Sequence, residues 1–210
     1  MRIKVEFIMI ILFIMLFSAS VSADQIELQN GNSLRGEVQN DSIQLKTNYA
    51  QLNIQIKYLN KLTRENGNFT ARASENNKFS GELLSDIIVS VNGEQRNFSA
   101  SEINTINFSR SDSFSNNKNL AVTLKNGDFF FANSVEESIS ISTSLGSSLS
   151  INYSNLNSIE YLSGEDLYLI TRNNASEIKS NLSGQKIIVW PAAAEITEID
   201  FNYIAKIQFN

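Results

Sequence analysis

The sequence predicts an all-β protein: four tandem antiparallel repeats of about 45 residues, packed in pairs, behind an N-terminal signal peptide. Three observations carry this. Apolar and polar residues alternate in short runs, the mark of half-buried strand. Asn-Gly dipeptides separate such runs, and Asn-Gly is the strongest short hairpin signal because a type I′ turn needs positive φ at both central residues. The same order of strands, turn and closing apolar pair then returns three times at nearly constant spacing.

Residues 1–23 come first. Arg2 and Lys4 give a positive start, Phe7 to Phe17 is unbroken apolar sequence, and Val21-Ser22-Ala23 supplies the small residues of a cleavage site. That order is a secretory signal with cutting expected after Ala23. As a helix the apolar run rises only about 16 Å, roughly half a hydrocarbon core, so a retained membrane anchor is the weaker alternative. Export implies a periplasmic or secreted location, with no stable membrane insertion once the signal is gone.

The first repeat reads IELQNGNSLRGEVQNDSIQLKTNYAQLNIQIKYLNKL from Ile26 to Leu62. Its strands run through Leu34, Gly36 and Val38, then Ile43, Leu45 and Thr47, then Leu52, Ile54 and Ile56. The pair Leu59 and Leu62 closes it. The second places Phe79, Gly81 and Leu83 on the first of these strands, Ile87, Val89 and Val91 on the next, and Ile103 and Ile106 as its closing pair. The third has Asn126-Gly127, Phe130, Ile139, Ile141 and Thr143, then Leu149 and Ile151, closing at Leu156 and Ile159. The fourth diverges most: Asn173-Asn174, Ile178, Ile187, Val189, Ile196 and Ile199, closing at Ile204 and Ile207. An i, i+3 pair does not fit strand alternation; one helical turn leading into a last strand puts both residues inward. A unit this small cannot bury an adequate core alone, so neighbouring copies must share one. The polar stretch 110–118 reads as a linker between repeats 1 and 2 (24–109) and repeats 3 and 4 (119–210). Gly36 and Gly81 coincide where the third repeat has Ala132, so this site is expected to accept Ala and nothing larger.

The net charge is −5, and the leader carries Arg2, Lys4 and Glu6, so the rest is one charge more acidic. That balance argues against nucleic acid and anionic membrane surfaces as partners. The chain has no Cys and no His, and its three methionines (Met1, Met9, Met15) lie in the leader. An exported chain without disulfides is held by burial and backbone hydrogen bonds. Without Cys there is also no lipid-attachment site behind the signal.

The wording of the first repeat resembles a small repeat of bacterial envelope proteins, the segment preceding the barrel in the salt-induced outer-membrane protein family. Asn30, Gly31, Leu34, Gly36, Thr47, Tyr49 and Ala50 match its pattern, as does Lys125-Asn126-Gly127-Asp128, while Asn32, Asn48 and Gln51 depart from it. The family's long membrane barrel is missing. The repeat is also similar to small five-stranded barrels of the SH3-like and Sm-like kind, a resemblance that implies fold and not function.

Nucleophilic triads need His or Cys and are excluded by composition. Ser-x-x-Lys occurs at Ser115–Lys118, Ser176–Lys179 and Ser183–Lys186, each without the partner motifs that give the spacing meaning. Only oxygen-ligand metals such as calcium remain, with Glu136-Glu137, Glu165-Asp166 and Glu198 with Asp200 as acidic pairs and no calcium-loop motif. No catalytic residue, cofactor or metal ligand is assigned. The sharper signal is apolar residues on the wet face. If Phe130 points inward, Phe129 and Phe131 point outward together, packing on a neighbouring repeat or forming a patch for a protein partner or self-association. Trp190 and Tyr203 form a candidate platform for glycan or peptidoglycan. The expected function is a non-catalytic, exported interaction or scaffold module of the bacterial envelope, with glycan binding as the alternative.

Overall fold

The structure, a computed structural model, describes residues 23–109, 111–114, 118–142 and 148–210. The signal segment up to residue 22, part of the 110–118 stretch, Ser115 and Thr143 lie outside the described residues. The fold is all-β and antiparallel, and among the described residues no helix exceeds a single three-residue turn. Among the described residues no helix is long and apolar enough to cross a membrane.

The strands are β1 (Asp24–Leu28), β2 (Ser33–Val38), β3 (Ser42–Lys46), β4 (Gln51–Gln55), β5 (Leu59–Glu65), β6 (Asn68–Ala73), β7 (Lys78–Leu83), β8 (Ile87–Val91), β9 (Glu94–Phe98) and β10 (Ile103–Asn107). After the 110–118 stretch come β11 (Leu120–Leu124), β12 (Phe129–Ser134), β13 (Ser138–Ser142), β14 (Ser148–Asn152), β15 (Leu156–Leu162), β16 (Leu167–Arg172), β17 (Glu177–Ser180), β18 (Lys186–Pro191), β19 (Thr197–Asp200) and β20 (Ile204–Phe209). Three-ten turns at Ile56–Tyr58, Ala100–Glu102, Tyr153–Asn155 and Phe201–Tyr203 run directly into β5, β10, β15 and β20. Their first strand residues Leu59, Ile103, Leu156 and Ile204 are all buried, as are Leu62, Ile106, Ile159 and Ile207 three positions on. The i, i+3 spacing thus marks a corner where the chain turns over the core.

Pairing does not follow the chain. Hydrogen-bonded neighbours run β9-β8-β2-β1-β10-β5-β6-β7-β3-β4. In the later residues they run β19-β18-β12-β11-β20-β15-β16-β17. The β13–β14 hairpin lies beside β17, where the Ser180 hydroxyl donates to the Ser142 carbonyl at 3.0 Å. So β2 pairs with β8 and β7 with β3: each of these segments gives its strand to the other.

Close approach at those crossings explains the small residues. A Cβ on Gly36 would stand 2.5 Å from the Ser90 carbonyl oxygen, and one on Gly81 2.5 Å from that of Lys46. The expectation that Ala is accepted there is therefore corrected. At the matching crossing on β12 the buried Ala132 stands opposite Pro191.

The turns also differ from expectation. At Asn30-Gly31 only Gly31 has positive φ (82°), and the amides of Gly31 and Leu28 donate to the carbonyls of Leu28 and Asn32. This is a type I turn closed by a left-handed residue, not type I′. Gly127 (φ 84°) repeats it, and Ala175 (φ 63°) fills the same place without glycine's freedom. True type I′ geometry, with both residues positive, occurs at Asn66-Gly67 and Asn92-Gly93, which join β5 to β6 and β8 to β9.

One apolar cluster runs through all the described strands. Leu149 (41 % exposed) and Ile196 (58 % exposed) stay outside it although alternation places them inward. Leu149 lies on β14, which among the described residues pairs only with β13, and Ile196 precedes β19 in the loop after β18.

The two parts of the chain meet where β7 approaches β12. Lys78 bridges Phe129, and the buried rings of Phe79 and Phe130 stack at 5.4 Å. The Phe131 amide donates to Asn77 Oδ1 at 2.7 Å and the Ser80 amide to Asp128 Oδ2 at 2.9 Å. The contact is reciprocal: each of residues 77–80 answers the one 51 positions later, as across a two-fold axis. Asp128 is fully buried, and its Oδ2 also accepts the Tyr49 hydroxyl (3.1 Å) and Asn126 Nδ2 (3.1 Å). Burial first, and then the charge of Asp128, push the Tyr49 hydroxyl well above its usual range.

Candidate functional site

Strands β11, β12 and β18 lie side by side. Alternation on β12 sends Phe130 inward and leaves Phe129 and Phe131 half-buried on the opposite face, where their rings meet edge to face at 5.1 Å. Asn133 shares their side and stands opposite Trp190 on β18. Trp190 is 52 % exposed, and the Lys118 ammonium sits 5.5 Å from its ring centre. A cation over an exposed indole contributes about 0.5–1 kcal/mol and leaves much of the ring free. The result is a sheet face bearing two phenylalanines and a tryptophan.

Tyr203 is not part of it. The Asn119 amide donates to Asn133 Oδ1 at 3.3 Å, so Trp190 lies near the start of β11, whereas the Tyr203 carbonyl accepts the Lys125 amide at 2.8 Å, just past the end of β11. The length of β11 separates the two rings, about 17 Å at strand rise. Tyr203 is 37 % exposed by itself.

Two of the three acidic pairs, Glu165-Asp166 and Glu198 with Asp200, are engaged within the fold. Glu165 bonds Lys179 at 2.6 Å, Glu198 bonds Lys186 at 2.5 Å, Asp166 accepts the Tyr161 hydroxyl at 2.8 Å, and Asp200 caps the Asn202 amide at 2.8 Å. Among the described residues no group of three or more His, Cys, Asp or Glu converges as a metal set. Of the Ser-x-x-Lys pairs, Ser176 Oγ donates to Asn174 and Ser183 Oγ to Asn202, while Lys179 and Lys186 point to their carboxylates.

Two arrangements escaped sequence reasoning. Lys125 Nζ lies 3.3 Å from the Tyr161 ring centre and 5.9 Å from that of Tyr168. An open polar cleft is also lined by Asp24, Glu37, Asp41, Lys57 and Glu195. Both join residues far apart in the chain, and no local spacing signals them.

Compared with known proteins, the chain matches no family model, no curated protein and no solved structure.

Proposed function

We propose that this protein is a non-catalytic, exported β-repeat module of the bacterial cell envelope that binds a protein partner through the face carrying Phe129, Phe131 and Trp190. The observation that carries this reading is that face: an aromatic group on outward positions of paired strands, where a solvated sheet would carry polar side chains. The architecture behind it is four tandem copies of a small five-stranded unit of SH3-like or Sm-like kind, neighbouring copies exchanging strands to complete their barrels. Support comes from the four turn-plus-strand corners and the left-handed residues Gly31, Asn76, Gly127 and Ala175 at matching turns. Export rests on the leader, and the expected cut falls just before Asp24, whose carboxyl accepts the amides of Val38 (2.9 Å) and Ser109 (2.8 Å).

A photo-crosslinking residue at position 129 or 131, with Gln95 on β9 as control, tests the reading in envelope preparations. One envelope protein captured from both sites, absent from the control and lost with Trp190→Ala, is the expected result. Equal capture from all three positions overturns it. A second reading rests on Trp190 alone as a glycan contact. Quenching of the single tryptophan by envelope glycans supports that reading, and a flat titration removes it.

A further inference from the structure

The β7–β12 contact is a seam between equivalent strand ends, and the structure carries that end four times. The residues matching 77–80 and 128–131 are 32–35, leading into β2, and 176–179, leading into β17. At these two places nothing among the described residues covers the strand end. Leu34 and Ile178, in the positions of the buried Phe79 and Phe130, are only half-buried, and Ser33, Arg35, Glu177 and Lys179 are exposed.

We infer that a second copy of this chain docks here, the β2 end of one molecule against the β17 end of the next, repeating between chains the seam that β7 and β12 form within one. This rests on the four-copy reading above and is independent of the aromatic face.

The internal seam supplies the template. Applied to β2 and β17, it places Ser33 opposite Glu177 and brings Leu34 against Ile178, as Lys78 meets Phe129 and Phe79 meets Phe130. Asn32 and Ser176 offer side-chain oxygens where Asn77 and Asp128 accept amides. Arg35 falls diagonally across from Glu177, an opposite-charge pair within reach on a sheet. Lys179, held by Glu165, leaves Glu177 available. The homotypic alternatives are worse. Two β17 ends place Glu177 directly opposite Glu177, which is repulsive, and two β2 ends leave both Arg35 side chains without a carboxylate. Joining unlike ends does not close on itself by two-fold symmetry, so it propagates as a linear series or a ring.

The absence of native cysteine makes the test clean. The full chain is prepared as Ser33→Cys and, separately, as Glu177→Cys, both at exposed positions where folding is not at stake. Directly paired strand residues lie within disulfide reach. On mild oxidation the mixture should give several-fold more covalent dimer than either variant alone. The parent chain should also sediment with a mass that rises with concentration, and Arg35→Glu should reduce that rise. Dimers formed equally by each variant alone, or no excess in the mixture, overturn the inference. The crosslinking from positions 129 and 131 is read separately, so either proposal can fail without the other.

Discussion

Replacing Gly81 with Ala tests the strand crossing most directly. The added Cβ would lie 2.5 Å from the Lys46 carbonyl oxygen, 2.8 Å from its carbon and 3.1 Å from Thr47 Cα, where ordinary contact begins at 3.4 Å. All three neighbours are backbone, so relief requires β7 and β3 to part by close to 1 Å. Their ladder consists of only Leu45 with Leu83 and Lys46 with Glu82, so the shift strains a short pairing. Overpacking of this kind costs about 1–3 kcal/mol, and a weakened backbone hydrogen bond about 0.5–1.5 kcal/mol more. Reduced freedom of the unfolded chain returns about 0.4–1 kcal/mol. The expected net loss is about 2 kcal/mol, which at a urea slope of about 2 kcal/mol/M lowers the unfolding midpoint by about 1 M. Gly164→Ala is the internal control, since nothing lies within 4 Å of its added Cβ. It should be neutral or slightly stabilising. If Gly81→Ala unfolds at the parent midpoint, or moves upward with Gly164→Ala, the close crossing of β7 and β3 is wrong.

Other outcomes follow from the same geometry. Gly36→Val places a larger group 2.5 Å from the Ser90 carbonyl oxygen and should cost at least as much as Gly81→Ala by the same urea measurement. Ala175→Gly relieves a left-handed alanine (φ 63°) and should stabilise by about 0.5 kcal/mol, raising Tm by about 2 °C. Asp128→Ala strips the acceptor from Tyr49, Ser80 and Asn126 and should cost about 2–4 kcal/mol; an unchanged midpoint would show the seam contributes little. The folded-state pKa of Tyr49 is raised, so its contribution is full below about pH 10 and is lost as pH rises further, because the unfolded chain releases the proton first. Stability should therefore fall above about pH 10, less steeply in Tyr49→Phe, as unfolding curves at successive pH values would show.

The strands and corners were legible because side-chain periodicity reports which face is buried. Period two located Ile43 and Leu45 on β3, and its failure at Leu59 and Leu62 located the corner. What periodicity does not encode is the partner. The pattern of β2 is equally satisfied beside β3 or β8, and only the small residues Gly36, Gly81 and Ala132 hinted that another backbone crosses there. The turn type at Asn30-Gly31 was misjudged because the dipeptide allows both geometries, and the three-residue loop selects one. For the site, the outward placement of Phe129 and Phe131 followed from alternation, whereas the separation of Trp190 from Tyr203 depends on which strands stand between them. That order is set by long-range pairing.

Because β2 completes its ladder with β8 and β3 with β7, a chain cut between β5 and β6 would leave two fragments, each lacking the other's strands. Residues 24–107 hold both members of each exchanged pair. Until β7 and β8 have left the ribosome, β2 and β3 are each paired on one side alone, with β1 and β4, and contacts as distant as β2–β8 and β3–β7 form slowly. The interlaced layout thus keeps the newly made chain open for longer than a string of self-contained barrels would.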